Sequence, residues 1–456
     1  MERPRPNDLL ELSVDDLAFG GQGVARPEGF VVFCADTAPG DRVRARVRRV
    51  RRRFAEAALE EVLEAGPGRI APPCPYVPRC GGCRLQHLDY DAQLAAKARQ
   101  VADHLERIAG LDPALVLPPD PAVEIFGYRN KMEYSAAPGP DGELRLGFHA
   151  RGRWDEVIDI DPCLLASPLG NALRESVRQW ALAEGLTPYD QRAQRGLLRH
   201  VVVREGIATG QALVTVVTAT GVEAAVDRLG PPLALRHPEL VGLVHAVNDG
   251  VAEVATGLPW RVAWGRGWLE EQIRGITLRL SPTAFFQTNT RTAERLYERV
   301  AEAAALSGGE VLYDLFAGVG GIGIPLADLA REVVGVEIDP SSVEDAKGNA
   351  ERNGVDNYRP LCGDVGRLLR DRAAELPAAD VAIVDPPRAG LQGRAVRRML
   401  ELGAPTLVYV SCNPSTFAAD AKQLVEGGYR LESVRPVDMF PQTPHIEAVA
   451  RLTRSG

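Results

Sequence analysis

Long apolar runs are missing from this 456-residue chain. No stretch approaches the roughly eighteen consecutive apolar residues that a membrane-spanning helix needs. The N-terminal Met1-Glu2-Arg3-Pro4-Arg5-Pro6 also lacks the apolar core of a signal peptide. Both gaps speak against a membrane and for the cytoplasm, where thiols stay reduced. Cysteine is sparse: seven in a chain this long are no disulfide framework. Internal repeats and long low-complexity tracts are absent. A basic excess is absent as well, the formal net charge being -8. Taken by itself, that charge argues against a nucleic-acid partner. What remains, 45% hydrophobic and 25% charged residues, is the composition of a globular protein long enough for two to four domains.

The distribution of charge matters more than its sum. Residues 8 to about 65 read as a small β-barrel, with short apolar runs such as Val31-Val32-Phe33-Cys34 between turn residues. Within it, eight arginines fall in the thirteen positions from Arg42 to Phe54. The first half alternates arginine with small apolar residues, so one strand face is basic. Such a stripe is either a solvated surface or a phosphate contact. With no acids interleaved, phosphate is the expectation, because guanidinium binds it bidentately. Gly66-Pro67-Gly68 then reads as a linker.

Three of the cysteines, Cys74, Cys80 and Cys83, crowd into a loop rich in Pro and Gly, which suits backbone wrapped around a metal centre. A fourth partner is needed, and the next cysteine is Cys163. Zinc and an iron–sulfur cluster both satisfy this chemistry. Four-cysteine zinc sites usually come as two Cys-x-x-Cys pairs, so three clustered and one remote cysteine suit [4Fe–4S] better. Leu85 to about Ala109 reads as a helix whose apolar side is Leu88, Leu94, Val101, Leu105 and Ile108. From Glu124 to about Leu280 short β runs dominate, predicting a mixed α+β domain. Phe126 to Lys131 and Gln194 to His200 add cations and aromatics that face either RNA or ordinary solvent.

From residue 281 the pattern is strand, glycine loop, helix, then alternating strands and helices: a doubly wound, mainly parallel sheet. Gly318-x-Gly320-x-x-Gly323 opens a helix after an apolar strand, and Glu337 ends the next strand, placed to accept ribose hydroxyls. This fits NAD or S-adenosylmethionine equally. Asp385-Pro386-Pro387-Arg388, a rigid acidic turn after the fourth strand, tilts the choice to S-adenosylmethionine, as does Asp314 before the glycine loop. Leu407 to Val410 reads as a buried strand, and Ser411, Asn413 and Pro414 break it. Cys412 thus lies just past a strand's carboxyl end, where open α/β sheets place their ligands. A lone cysteine is more often a small packing group, but not in this company.

With these motifs the chain resembles the RNA uracil-5-methyltransferases, in particular a 23S rRNA-directed branch with an N-terminal TRAM domain and an iron–sulfur cluster. The likeness is carried by the clustered cysteines around Gly81-Gly82, the Asp314-Leu315-Phe316-Ala317-Gly318-Val319-Gly320 loop, Asp385-Pro386-Pro387-Arg388, Ser411-Cys412-Asn413-Pro414, and Phe440-Pro441-Gln442-Thr443-Pro444-His445-Ile446-Glu447. It implies three parts: a TRAM-like RNA-binding barrel over 1–66, an iron–sulfur and α+β domain over 67–280, and a Rossmann-like S-adenosylmethionine-dependent methyltransferase domain over 281–456. It further implies that Cys74, Cys80, Cys83 and Cys163 hold a [4Fe–4S] cluster. Gln287, Phe316, Gly318, Gly321, Glu337, Asp364 and Asp385 would contact the cofactor. Cys412 would be the nucleophile and Glu447 the base. Some members carry a side-chain amide where this chain has Gly321, leaving only backbone for a contact there.

The chemistry asks for the same two groups. C5 of uracil is a poor nucleophile until a thiolate adds to C6, and the C5 proton must later be removed by a base. Asp385 can orient the uracil edge, and the target base must leave any helix to reach the pocket. The expected protein is a monomer acting on rRNA. A tRNA uracil-5-methyltransferase is the near alternative, and an inactive cluster-bearing RNA-binding factor a remoter one. A cytosine-5-methyltransferase fits poorly, because Arg388 stands where those enzymes often carry cysteine.

Overall fold

Alternation decides the first unit. In the strand Arg42–Val50, Val43, Ala45 and Val47 turn inward and are fully buried, which leaves the intervening arginines outside. The computed structural model describes residues 3–372 and 374–454. In it this strand is part of a six-stranded sheet. The strands run in the order Leu9–Ser13, Arg42–Val50, Phe54–Glu64, Val31–Ala35, Gln22–Ala25 and Asp16–Leu17 around a small core of Leu12, Val32, Val43 and Ala55.

The neighbouring strands supply what the basic strand lacks. Arg42 pairs with Glu64 at 2.6 Å, Arg44 with Glu61 at 2.5 Å, and Arg46 with Glu60. The expectation of a stripe without acids is therefore corrected for these three arginines. The acids lie across the sheet on Phe54–Glu64, where cross-strand pairing brings them opposite. Arg48, Arg49, Arg52 and Arg53, around the hairpin's tip, make no ion pair among the described residues.

The central unit is a seven-stranded mixed sheet running from Trp260–Gly265 at one edge to Val157–Asp159 at the other. The helices Pro168–Ala183 and Glu223–Arg236 pack on it. Its core includes Tyr134, Leu146, Val201, Val214 and Val216.

The C-terminal sheet positions the site. Its strands are β1 (Val311–Leu315), β2 (Glu332–Glu337), β3 (Tyr358–Cys362), β4 (Val381–Val384), β5 (Thr406–Ser411), β6 (Arg430–Val437) and β7 (Glu447–Thr453). They lie in the order β3-β2-β1-β4-β5-β7-β6. The first five are parallel, and β7 enters antiparallel between β5 and β6. Strands buried on both faces read as continuous apolar runs, as β1, β4 and β5 do. The helix Thr290–Ala304 covers one face with Leu296, Tyr297 and Val300. It is joined there by the hairpin Leu269–Ile273/Ile276–Leu280.

The other face receives part of the helix Tyr90–His104, through Val101, together with Leu105 and Ala109 of the π-helical turn that follows it. The helix was expected over a longer span with an apolar face. It starts instead at Tyr90, its buried face holds Gln93, Lys97 and Gln100, and Ile108 is exposed. The polar groups are buried because the C-terminal loop brings partners to them. Lys97 Nζ donates to Asp438 at 2.7 Å and to the carbonyl of Phe440, and Gln93 Nε2 donates to Gln442 Oε1 at 3.0 Å.

Candidate active site

Three strand ends meet at one edge of the C-terminal sheet. Asp385 follows β4, whose last residue, Val384, lies opposite Tyr409 of β5. Cys412 follows β5. Glu447 opens β7, which runs antiparallel to β5 with Ser411 opposite Ala448. One further step of that register brings Cys412 alongside Glu447. An antiparallel strand inserted beside a parallel one is what allows the end of one and the start of the other to share a site.

The two turns are tied together. Asn413 caps the helix Pro414–Glu426 by accepting the Ser415 N–H at 3.1 Å, with Pro414 at the first helical position. Its Nδ2 donates to the carbonyl of Arg388 at 3.1 Å, and Thr416 Oγ1 donates to the same oxygen. The Ser-Cys-Asn-Pro and Asp-Pro-Pro-Arg segments thus hold each other in place.

The electrostatics are those of acids crowded in a cleft. Burial pushes the Cys412 thiol up to about 12, helped by Glu447 and Asp385 and opposed by Arg388. Glu447 is 3% exposed, and its Oε2 has no hydrogen-bond partner among the described residues. Burial, then Asp385, raises its carboxyl well above the usual range, with Arg388 again opposing. Asp385 is raised to about 7 by burial and by Asp314. Asp314 is likewise raised to about 7, chiefly by burial. A cluster of carboxyls raised toward or above neutrality favours a cationic ligand, whose charge would shift them back toward the ionised form. His445, the other titratable group of this loop, is pushed down to about 4 by burial and nearby cations.

Beside this group lies the glycine loop. Gly323 N–H donates to Asp314 Oδ2 at 2.8 Å, and Gly318 N–H donates to Glu337 Oε2 at 2.9 Å. Glu337 at the end of β2 thereby ties the loop while keeping lone pairs for further donors. Phe316 sits at φ 67°, unusual for a bulky residue and typical of functional sites, and is half-buried at the loop's start. Gly320, at φ 80°, has no room for a side chain, since a Cβ there would meet Ile324. Gln287 is buried in the segment before Thr290–Ala304, and its carbonyl accepts from Asn130 Nδ2 at 2.8 Å. Asp364 is exposed beyond β3 and caps the helix Val365–Asp371 through the Arg367 N–H at 2.9 Å. It shares the sheet's carboxyl edge but makes no hydrogen bond or ion pair with the rest of the cluster among the described residues.

Two residues of the site gave no signal in the sequence. Tyr297 is 3% exposed, and its hydroxyl would stand 3.3 Å from a Cβ placed on Gly321. Burial, then Asp385, Asp314 and Glu447, raise its phenol above the usual range, so the ring reaches the acids' midst. Its helical spacing reads simply as core. Lys97 lies in a helix over 340 positions away from the partner that explains it. An apolar-face count has no means of finding such a pair. Of the two segments with cations and aromatics, both turn largely inward. Tyr128 is buried and donates to the carbonyl of Pro441 at 3.0 Å, and Arg199 is buried against backbone carbonyls.

The four predicted cysteines do come together. Cys74, Cys80, Cys83 and Cys163 line one cavity of about 570 Å³, walled also by Phe148, Ile160 and Phe286. All four are free thiols. Burial raises those of Cys80, Cys83 (to about 12) and Cys163. Gly82 N–H points at Cys80 Sγ at 3.4 Å. Among the described residues no three His, Cys, Asp or Glu side chains converge closely enough to hold a single ion. No helix there is long and apolar enough to cross a membrane.

Comparison with known proteins identifies the family. Residues 6–59 match the TRAM domain, 271–381 the TRM5/TYW2 methyltransferase domain, and 367–455 the family described as tRNA (Uracil-5-)-methyltransferase. A Halalkalibacterium halodurans protein described as an uncharacterized RNA methyltransferase is 37% identical over 451 residues, covering 98% of this chain and 97% of its own. One so described from Nitratidesulfovibrio vulgaris is 40% identical over 449 residues, covering 97% and 96%. The crystal structure of Pyrococcus abyssi tRNA (uracil-54, C5)-methyltransferase with S-adenosyl-L-homocysteine superimposes with a TM-score of 0.77 at 31% identity. It covers 97% of this chain and 100% of that one.

Proposed function

This chain belongs to the RNA uracil-5-methyltransferase family, and on that premise we propose that it methylates a uridine of 23S rRNA by way of a Cys412 adduct. The enzyme is S-adenosylmethionine-dependent. The observation that carries the mechanism is the register of β5 and β7, which sets Cys412 beside Glu447 with Asp385 at the next strand end.

The Cys412 thiolate adds to C6 of uracil, and the C5–C6 π electrons move to form an enolate. S-adenosylmethionine supplies an electrophilic methyl when bound. C5 takes that methyl, and the bond to sulfur breaks. Glu447 then removes the C5 proton, the C5–C6 double bond re-forms, and the Cys412–C6 bond breaks. Asp385 orients the uracil edge. Gln287, Phe316, Glu337 and Asp364 hold the cofactor, with backbone alone contributing at Gly318 and Gly321. Tyr297 adds the donor that position 321 lacks.

Trapping separates the two central roles. Glu447→Gln, with RNA and S-adenosylmethionine, is expected to accumulate a protein–RNA species that survives a denaturing gel, since the methylated adduct has lost its fast exit. Cys412→Ala should form none and should methylate nothing while still binding cofactor. Normal turnover by Glu447→Gln would pass the role of base to His445. A covalent species without Cys412 would end the assignment.

The tRNA reading has an observation of its own, the full-length likeness to the archaeal tRNA enzyme. Mass spectrometry of rRNA and tRNA from a deletion strain decides between them by where 5-methyluridine disappears. We read Cys74, Cys80, Cys83 and Cys163 as ligands of a [4Fe–4S] cluster. In such a cluster each thiolate takes its own iron, which suits four sulfurs around one cavity better than convergence on a single ion does. Such a cluster would hold the loop or help orient RNA, and would take no part in the steps above. Anaerobically purified protein should be brown with about four irons per chain. Colourless protein loaded with zinc would overturn this.

A further inference from the structure

The strand Leu144–His149 has two functional faces. Phe148 lines the cysteine cavity, and its neighbour His149 lines a different cavity of about 380 Å³, as alternation along a strand requires. This second cavity shares no residue with the cluster of carboxyls and Cys412. Its volume is in the range of small-molecule sites.

Its mouth and its floor differ in chemistry. At the mouth Trp154 is 61% exposed, a costly position for so large an apolar ring. Arg153 and Arg192 flank it. Both pair with the buried carboxylate of Asp155, and Arg153 also pairs with Glu156 at 3.9 Å, yet their exposed guanidiniums keep N–H donors free for a further acceptor. At the floor His200 is 4% exposed. Its Nδ1 faces Ser135 Oγ at 3.4 Å, and its Nε2 is buried with no hydrogen-bond partner among the described residues. Glu253 lies alongside, paired with His149 Nε2 at 2.8 Å. A buried polar atom without a partner is costly unless something completes it.

We propose that this cavity binds one nucleotide of the RNA substrate other than the uridine that is methylated. The base stacks on Trp154, its hydrogen-bonding edge meets His200 and Glu253, and the adjoining phosphate meets Arg153 and Arg192. An RNA base with its phosphate presents all three features at once: a π face, a polar edge and a charge. Sequence-selective RNA recognition works largely through such splayed-out bases. The pocket would then fix which uridine is delivered to Cys412. The proposal rests on the reading that the chain methylates RNA.

The test uses the full-length chain and an unmodified transcript spanning the uridine whose methylation a deletion strain loses. A companion series replaces each flanking nucleotide in turn with an abasic ribonucleotide. Trp154→Ala should raise KM for the transcript about tenfold, the size of one lost base–aromatic stack. The kcat and the KM for S-adenosylmethionine should hold, which also reports an intact fold. In the wild-type chain one abasic position away from the target should cost a similar factor, and that lesion should cost nothing more in Trp154→Ala. An unchanged KM in Trp154→Ala, or two losses that multiply, overturns the proposal. If the wild-type chain methylates no transcript, the activity reading falls, and this proposal falls with it. A working wild type with an unaffected Trp154→Ala removes the pocket alone.

Discussion

At Cys412 the resting site opposes the thiolate that the proposed reaction needs. Burial and two carboxyls push the thiol up to about 12, and the Arg388 guanidinium, with a smaller backbone hydrogen bond, pulls the other way. The dependence of kcat/KM on pH reports groups of the free enzyme. It should therefore keep climbing from pH 7 through 9, where an ordinary cysteine would level off near its usual 8.5. A plateau at pH 8.5 in initial rates at low RNA would mean an unperturbed thiol. The carboxyls titrate with the thiol as a group, so the curve belongs to the cluster and not to one residue. Arg388→Gln should lower kcat/KM throughout, because the one opposing charge is gone. Tyr297 offers a sharper check. Tyr297→Phe should raise KM for S-adenosylmethionine about tenfold, as losing one hydrogen bond to a charged acceptor does. Gly321→Asn alone should also impair cofactor binding, since its Cβ would press on the phenol oxygen at 3.3 Å. In Tyr297→Phe the same substitution has room and brings an amide donor, so the double variant should bind better than Gly321→Asn alone. Cys412, Glu447, Asp385 and the glycine loop were legible in the sequence because each sits in a short motif at a strand end. Tyr297 was not, because a tyrosine at helical spacing looks the same whether its hydroxyl meets solvent, core or a cleft.

Strand ends are also why the element scale was readable. Apolar runs of four to six residues between turn residues gave β1, β4 and β5, and the parallel order followed from their alternation with helices. What could not be read was the antiparallel entry of β7, since β propensity says nothing about direction. The helix Tyr90–His104 shows the other limit. Its buried face is half polar, and only the distant Asp438–Gln442 segment explains it. Lys97 and Asp438 are both fully buried, so removing one strands the other. Lys97→Met is expected to destabilise the fold by about 3–5 kcal/mol. Lys97→Met combined with Asp438→Leu should recover most of that, because a buried pair replaced whole leaves no charge behind. Thermal unfolding of the two variants checks it, and equal losses would mean the pair is not the anchor. This segment leads directly into Glu447, so hydrogen exchange at 438–447 should rise in Lys97→Met before the rest of the chain loosens.

Over the whole molecule, a net charge of -8 has to coexist with an RNA substrate. The barrel shows how. On the strand Arg42–Val50 arginine and glutamate cancel across the sheet, and exposed pairs of this kind contribute little to stability. Cancellation weakens at the hairpin tip, where Arg48, Arg49, Arg52 and Arg53 make no ion pair among the described residues, although Glu56 lies opposite Arg49 in the register. The sequence displayed the arginines but not their partners, because the partners belong to another strand and pair only once the sheet forms. Phosphate contact should therefore be concentrated at the tip. Each phosphate contact adds about 0.9 to the salt slope of binding on duplex and about 0.7 on single strands. Arg48→Glu, Arg49→Glu, Arg52→Glu and Arg53→Glu together should flatten the slope by roughly three units and weaken binding most at low salt. Arg42→Gln, Arg44→Gln and Arg46→Gln together should leave the slope nearly as it was, since those guanidiniums already hold carboxylates. Filter binding between about 50 and 200 mM salt distinguishes the two sets. If the strand variant loses the slope and the tip variant keeps it, RNA must displace the glutamates, and the cross-strand pairs would be a competitive gate on binding. The kcat at saturating RNA should be the same in both variants, because on the proposed reading the barrel only holds the substrate and the chemistry belongs to the strand ends of the C-terminal sheet.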